Sequence, residues 1–179
     1  AVTKAVHDAR PDWVLRAAAM TDVDGCERDP TAAHRSNALG TAAVARAAEA
    51  AGARLVAVST DYVFDGEKGG YTETDAPNPI NAYGRSKLEG ERLAQEAAFD
   101  CIVARTSVVF GPHKKNFVLW LVAELRAGRG VRIVSDQRVT PTLTHDLAQQ
   151  CLALMAKGAP GGIYHTAGAT ALSRLEMAQ

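Results

Sequence analysis

The chain has 179 residues, 47% hydrophobic and 22% charged, which is enough for one domain with a substantial core or for parts of two small lobes. Twenty Lys and Arg balance 20 Asp and Glu, so the formal net charge is zero and no nucleic-acid-binding face is expected. No apolar run approaches the roughly 20 residues that span a bilayer, and no secretory pattern opens the chain, so no membrane partner is expected either.

Along the chain, strand-like and helix-like segments alternate. Asp12 to Leu15 reads as a short strand running into the Ala17–Ala19 stretch. Asp29 before Pro30 is an N-cap followed by proline at the first helical position, and an Ala-rich helix should follow to about Ala51, stopped by Gly52. Arg54 to Ser59 is a mostly apolar strand of the type buried in a parallel sheet. Residues 60–82, rich in Asp, Gly, Pro and Asn, read as a loop longer than a connector requires, which itself suggests function. Tyr83 to about Phe99 is an amphipathic helix with Leu88, Leu93 and Ala97 on one face. Cys101 to Ala104 is a second buried strand. Asn116 to Ala127 is a helix ended by Gly128, Val131 to Val134 a short strand, Thr144 to Lys157 a helix with Asp146 in its first turn, and Gly162 to His165 a last strand. Such alternation predicts an α/β fold: a Rossmann-like, doubly wound parallel sheet with helices on both faces. The shorter segments after Gly111 suggest a division into residues 1–111 and a smaller lobe, 112–179, with some elements returning to the sheet.

Ala1 in place of Met, and a helix that only begins at Ser173, suggest a fragment. Ser173 with Glu176 fits a capping box, with Leu172, Leu175 and Met177 as apolar positions. Cys26, Cys101 and Cys151 are odd in number and far apart, which reads as thiols in a reducing compartment. The five His residues show no paired spacing, so no metal site is expected.

The chemistry concentrates in two places. Tyr83 and Lys87 form Y-x-x-x-K at a helix start, one turn apart on the same face. A phenol of ordinary pKa near 10 exchanges protons poorly at neutral pH; a neighbouring ammonium favours the phenolate and should lower that value. The pair could then donate a proton to a carbonyl oxygen as hydride arrives at its carbon. By itself the motif is weak, since Tyr and Lys at this spacing are common. Upstream, Ser59, Thr60 and Asp61 sit where a buried strand ends, and ligands of open α/β sheets bind beyond such ends. A hydroxyl there can hydrogen-bond a substrate carbonyl, or merely cap the loop. Arg105 can likewise serve a ligand or pair with a carboxylate, Gln137 can serve a ligand or only bond a loop, and Phe117 and Trp120, at helical spacing, fit a core better than a base-stacking face.

Together these residues resemble the extended short-chain dehydrogenase/reductases, and within them the dTDP-4-dehydrorhamnose reductase family. The resemblance rests on Pro11 to Asp24, on Asn37 to Gly40, and most specifically on Ser59 to Gly66 followed by Pro79 to Glu91. It continues through Arg105 to Ser107, Asn116 and Phe117, Asp136 and Gln137, Pro141 and Thr142, and Gly162 to Gly168. It implies NADPH-dependent (possibly NADH-dependent) reduction of the 4-keto group of dTDP-4-dehydro-L-rhamnose or a related nucleotide sugar, in a cytoplasmic protein that is often a homodimer. It implies catalytic roles for Thr60, Tyr83 and Lys87, and cofactor contacts for Ala18, Ala19, Thr21, Ser59, Tyr83, Lys87 and Thr106. It implies substrate contacts for Thr60, Asp61, Val63, Phe64, Arg105, Asn116, Gln137 and Thr142. Two departures stand out: the family's Gly-rich phosphate-binding turn is absent from these residues, and Arg16 stands where the family often has Asn. An alternative within the resemblance is a non-catalytic relative of the methionine adenosyltransferase beta subunit. A dehydratase would want an acid pair after Thr60, where Asp61 is followed by Tyr62.

Overall fold

The structure, a computed structural model, describes residues 1–179. The chain divides into two compact units: Ala1–Arg105 with Leu154–His165, and Thr106–Ala153 with Thr166–Gln179.

The first unit is built on a four-stranded sheet in the order β1 (Trp13–Arg16), β2 (Arg54–Thr60), β3 (Cys101–Thr106), β7 (Gly162–His165). The β1–β2 and β3–β7 pairs are parallel, with Leu15 opposite Val56 and Val103 opposite Ile163. The predicted strands at 12–15, 54–59, 101–104 and 162–165 therefore all form. All six residues of β3 are buried, as a near-continuous apolar run requires. Helix α1 is Val2–Ala9 and α2 is Val23–Arg28. The next helix starts as α3 (Pro30–Ala33), with the Asp29 side chain accepting from Ala32 N at 2.9 Å. It widens through a π-helical stretch, His34–Leu39, and continues as α4 (Gly40–Ala50). Helix α5 (Ala82–Ala97) is capped by Asn81, whose side chain accepts from Gly84 N at 2.8 Å.

The core of this unit is built from small residues. Ala45 and Ala48 of α4 and Ala94 of α5 cluster with Leu55, Ala57, Cys101 and Val103 of the sheet. Alanine has little bulk beyond Cβ, so both helices can lie close to the strands. They also lie close to each other: a Cβ at Gly90 would overlap the backbone carbonyl of Asn37. Gly90→Ala is therefore expected to cost about 1–3 kcal/mol, the usual range for overpacking, read as a lower urea midpoint at unchanged m-value.

The loop between β2 and α5 is braced from within. A 3₁₀ turn, Asp61–Val63, opens it, and Phe64 stacks on Tyr71 with centroids 4.2 Å apart. The Asp65 carboxylate accepts from the Tyr71 hydroxyl and from Asn78 Nδ2 at 2.9 Å. Asp75 pairs with Lys68 at 2.6 Å. Glu73 accepts from the backbone N–H of His165 at 2.9 Å, tying the loop to the end of β7.

The second unit contains α6 (Phe117–Arg126), most of α7 (Thr144–Ala156), and two small two-stranded pairs. The pairs are parallel β4 (Val109–Phe110) with β6 (Thr142–Leu143), and antiparallel β5 (Arg138–Val139) with β8 (Leu172–Ser173). The strand expected over Val131–Val134 does not form. Arg132 and Val134 are exposed and the segment pairs with no other strand, so its β-prone composition is not used. The Ser173–Glu176 capping box is present in both directions, at 2.6 and 3.0 Å, and leads into a 3₁₀ turn, Glu176–Ala178. No helix is long and apolar enough to cross a membrane.

Candidate active site

The site lies at the C-terminal ends of the parallel strands, where ligands of open α/β sheets bind. Thr60 is the last residue of β2. Its Oγ1 accepts from Tyr62 N at 3.2 Å and donates to Asp61 Oδ1 at 3.2 Å, so the capping role allowed by the sequence is real. Tyr83 sits in the first turn of α5, where chain entry is fixed by three contacts. Asn81 caps the helix, the Ala82 N–H donates to the Glu27 carboxylate, and the Tyr62 ring meets the Tyr83 ring edge-on at 5.5 Å. A Cβ at Gly84 would overlap the Tyr62 carbonyl, so only glycine allows this close approach between the loop and the helix.

Lys87 follows one turn later and is 5% exposed. Its Nζ donates to the Val58 carbonyl of β2 at 2.8 Å. Behind this helix, Asn37 in the π-helical stretch links three segments. Its side chain accepts from Met20 N at 2.8 Å, donates to Met20 O at 3.0 Å, and donates to Ser86 Oγ at 3.0 Å; Ser86 in turn donates to the Tyr83 carbonyl at 2.8 Å. The turn after β1 is thereby fastened to the first turn of α5.

The electrostatics differ from the expectation in one respect. Tyr83 is pushed up to about 12, chiefly by burial; the Thr60 side chain, placed to hydrogen-bond the phenol, acts the other way, and Asp61 adds to the rise. Burial thus outweighs any lowering by the Lys87 ammonium. Lys87 is pulled down to about 8 by burial and then by Arg16, with Glu91 opposing. At neutral pH the phenol keeps its proton and the amine is mostly charged, which suits a proton donor beside a cation.

These values make stability depend on pH. From about 8 to 10.5 the unfolded Lys87 binds more proton than the folded one, so stability should rise with pH. From about 10 to 12 the folded Tyr83 holds more proton than the unfolded one, so stability should fall. Urea midpoints measured from pH 7 to 11 should show the rise in the wild type and lose it in Lys87→Met.

The remaining predicted positions separate into two groups. Ala18 and Thr21 are exposed and Ala19 half-buried on the turn after β1, open to a ligand. Asp61 and Phe64 flank Thr60, and Phe64 lies under the Arg105 guanidinium at 5.2 Å and edge-on to His165 at 5.9 Å. Thr106 Oγ1 is buried with no hydrogen-bond partner. Other positions have partners within the protein. Val63 is fully buried in a cluster with Phe64 and Leu88, so its side chain packs in the core. Arg105, 3% exposed, forms a forked ion pair with Glu91, the carboxylate alternative. The Ser59 hydroxyl donates to the same Glu91 carboxylate. In the second unit Asn116 caps α6, accepting from Leu119 N at 3.0 Å, and Gln137 Oε1 accepts from Arg174 Nε at 3.0 Å. Thr142 is fully buried and donates to the Ser107 carbonyl at 2.7 Å.

Sequence reasoning quoted Glu91, Asn37 and Arg16 but gave them no role. Arg16 donates to the Ala18 carbonyl at 2.5 Å and to Ser36 O at 2.8 Å, holding the turn after β1 against the π-helical stretch. The available signal for Glu91 was its spacing, four residues beyond Lys87 and eight beyond Tyr83 on one helical stripe.

A family model described as RmlD substrate binding domain matches residues 1–179. Over 175 residues the chain is 43% identical to a dTDP-4-dehydrorhamnose reductase of Mycobacterium tuberculosis, covering 94% of this chain and 57% of that protein. The structure of dTDP-4-dehydrorhamnose reductase from Bacillus anthracis, solved in complex with NADP, superposes with a TM-score of 0.94 at 36% identity, over 99% of this chain and 64% of the other. A hypothetical dTDP-4-dehydrorhamnose reductase from Sulfolobus tokodaii gives a TM-score of 0.90 at 40% identity, over 99% and 62%. The chain thus spans somewhat more than half the length of the curated relatives it matches.

Proposed function

Because the chain belongs to the RmlD substrate binding domain family, we propose that it is the part of an NADPH-dependent reductase that carries the catalytic residues. The protein would reduce the 4-keto group of dTDP-4-dehydro-L-rhamnose, or of a related nucleotide sugar, to the alcohol. The observation that carries this reading is the placing of Thr60, Tyr83 and Lys87: one strand end and one helical stripe bring a hydroxyl, a protonated phenol and a buried ammonium to the ligand end of a parallel sheet.

The residues present fit the ribose and nicotinamide end of a dinucleotide. Lys87 and Tyr83 are buried donors on one helical face, Ala18, Ala19 and Thr21 leave the turn after β1 open, and Thr106 offers a buried hydroxyl without a partner. Bound NADPH supplies the hydride. Tyr83 gives its phenolic proton to the carbonyl oxygen as that oxygen gains charge, and the resulting phenolate is reprotonated from solvent. Lys87 holds positive charge next to the forming phenolate and binds the ribose. Thr60 turns its hydroxyl to the same substrate oxygen and orients the keto group. Asp61 and Phe64 would line the sugar. The residues around the sheet, 1–111, would hold the cofactor, and 112–179 mainly the nucleotide sugar. We place the protein in the cytoplasm, where three free thiols, Cys26, Cys101 and Cys151, persist, and expect a homodimer.

The reading is tested by following NADPH absorbance with the complete protein and dTDP-4-dehydro-L-rhamnose. Turnover that requires the sugar supports it. Tight NADPH binding with no turnover on any 4-keto nucleotide sugar contradicts it.

A further inference from the structure

The Glu91 carboxylate is the best-held charge in the first unit. It is 4% exposed, accepts the Ser59 hydroxyl, and accepts Arg105 Nε at 3.1 and 3.2 Å and Nη2 at 2.7 Å. A buried ion pair is a costly way to hold a fold together, since an apolar replacement of similar volume is often as stable. Its partners lie close to the proposed chemistry. Ser59 sits between Val58, whose carbonyl holds Lys87, and Thr60; Arg105 is the penultimate residue of β3; Glu91 follows Lys87 by one helical turn.

We propose that Glu91 is a positioning residue: with Ser59 and Arg105 it fixes the Lys87 turn of α5 against the ends of β2 and β3, so that the Lys87 amine stays seated on the Val58 carbonyl. The charged and titratable groups around Lys87 are few. Arg16 from β1 disfavours the ammonium; Glu91 from α5 favours it; Tyr83 is a neutral phenol on the same helix; β2 contributes the Val58 carbonyl. Glu91 is thus the one carboxylate that opposes both burial and Arg16.

The kinetic part of this inference rests on the reductase reading; the titration part does not. In the complete protein with ¹³C-labelled lysine, the Lys87 signal, assigned by Lys87→Arg, is titrated in wild type and in Glu91→Gln. Glutamine keeps the shape and one acceptor but loses the charge. The Lys87 midpoint should fall below its wild-type value, and the alkaline limb of the pH–rate profile should move to lower pH by the same amount. For a fall of one unit from the wild-type value of about 8, the charged fraction at pH 8, and turnover with it, should drop about fivefold. If Glu91→Gln does not fold, Glu91→Gln/Arg105→Gln leaves no uncompensated charge and is titrated in its place, with the same fall expected. A folded variant whose Lys87 midpoint does not move overturns the proposal, whatever happens to its stability. If the wild type turns over no keto sugar, the reductase reading fails, and the titration still decides the role of Glu91.

Discussion

Tyr83→Phe should lose about 10²- to 10⁴-fold in turnover of the complete protein with NADPH and the 4-keto sugar, the span expected when a positioned general acid is removed. The ring stays, so the edge contact with Tyr62 and the packing beside Cys26, Ala33 and Ala82 are kept. Only the hydroxyl is lost, and Thr60 is the group placed to hydrogen-bond it, so stability should change by no more than about 1 kcal/mol. Affinity for NADPH should fall by no more than one hydrogen bond is worth, about 1 kcal/mol, because Lys87 and the turn after β1 are untouched. A loss of turnover with binding and stability intact assigns the hydroxyl to the chemical step. Equal turnover in mutant and wild type moves proton donation to another group. The raised pKa of Tyr83 sharpens this: a phenol held near 12 is fully protonated across the neutral range, so the neutral-range pH profile should carry no limb from its ionisation.

Arg105→Met should destabilise the fold by about 3–5 kcal/mol, the cost of leaving a buried charge without its partner. Arg105 and Glu91 are each below 5% exposed, so the orphaned carboxylate would be left buried. Methionine fills similar volume, so little of the loss should come from a cavity. Removing the second charge as well, in Arg105→Met/Glu91→Gln, should recover most of the loss, and the two changes will be strongly non-additive because the residues touch. Chemical denaturation of the four proteins gives the coupling directly. A single mutant as stable as the double would mean that solvent reaches Glu91 despite its burial.

Much of the first unit was legible because its signals are local. Pro30 behind Asp29, the apolar face of Leu88, Leu93 and Ala97 in α5, and apolar runs at 54–59 and 101–104 each encode one element through a cap or burial, and each element forms near the expected bounds. Thr60, Tyr83 and Lys87 were legible because a strand end and a helix start place them together. What escaped depends on tertiary contact. The π-helical widening that presents Asn37 has no periodicity of its own, since it is stabilised by bonds to Met20 and Ser86 from distant segments. Glu91 closes the Pro79–Glu91 match with no role of its own, and only the ends of β2 and β3 turn it into a buried anchor. Val131–Val134 failed in the opposite sense: its composition favours a strand, but no neighbour supplies a ladder. The fall in the Tyr83 pKa expected from helical spacing failed because spacing carries no account of desolvation.

The most direct measurement is hydride transfer itself. The complete protein is given dTDP-4-dehydro-L-rhamnose and NADPH carrying deuterium at the transferable C4 position, and the product sugar is examined by NMR. Deuterium at the sugar C4, in wild type and far more slowly in Tyr83→Phe, is the result the geometry of Thr60, Tyr83 and Lys87 predicts. Bound NADPH that keeps its deuterium while the sugar remains a ketone would contradict it.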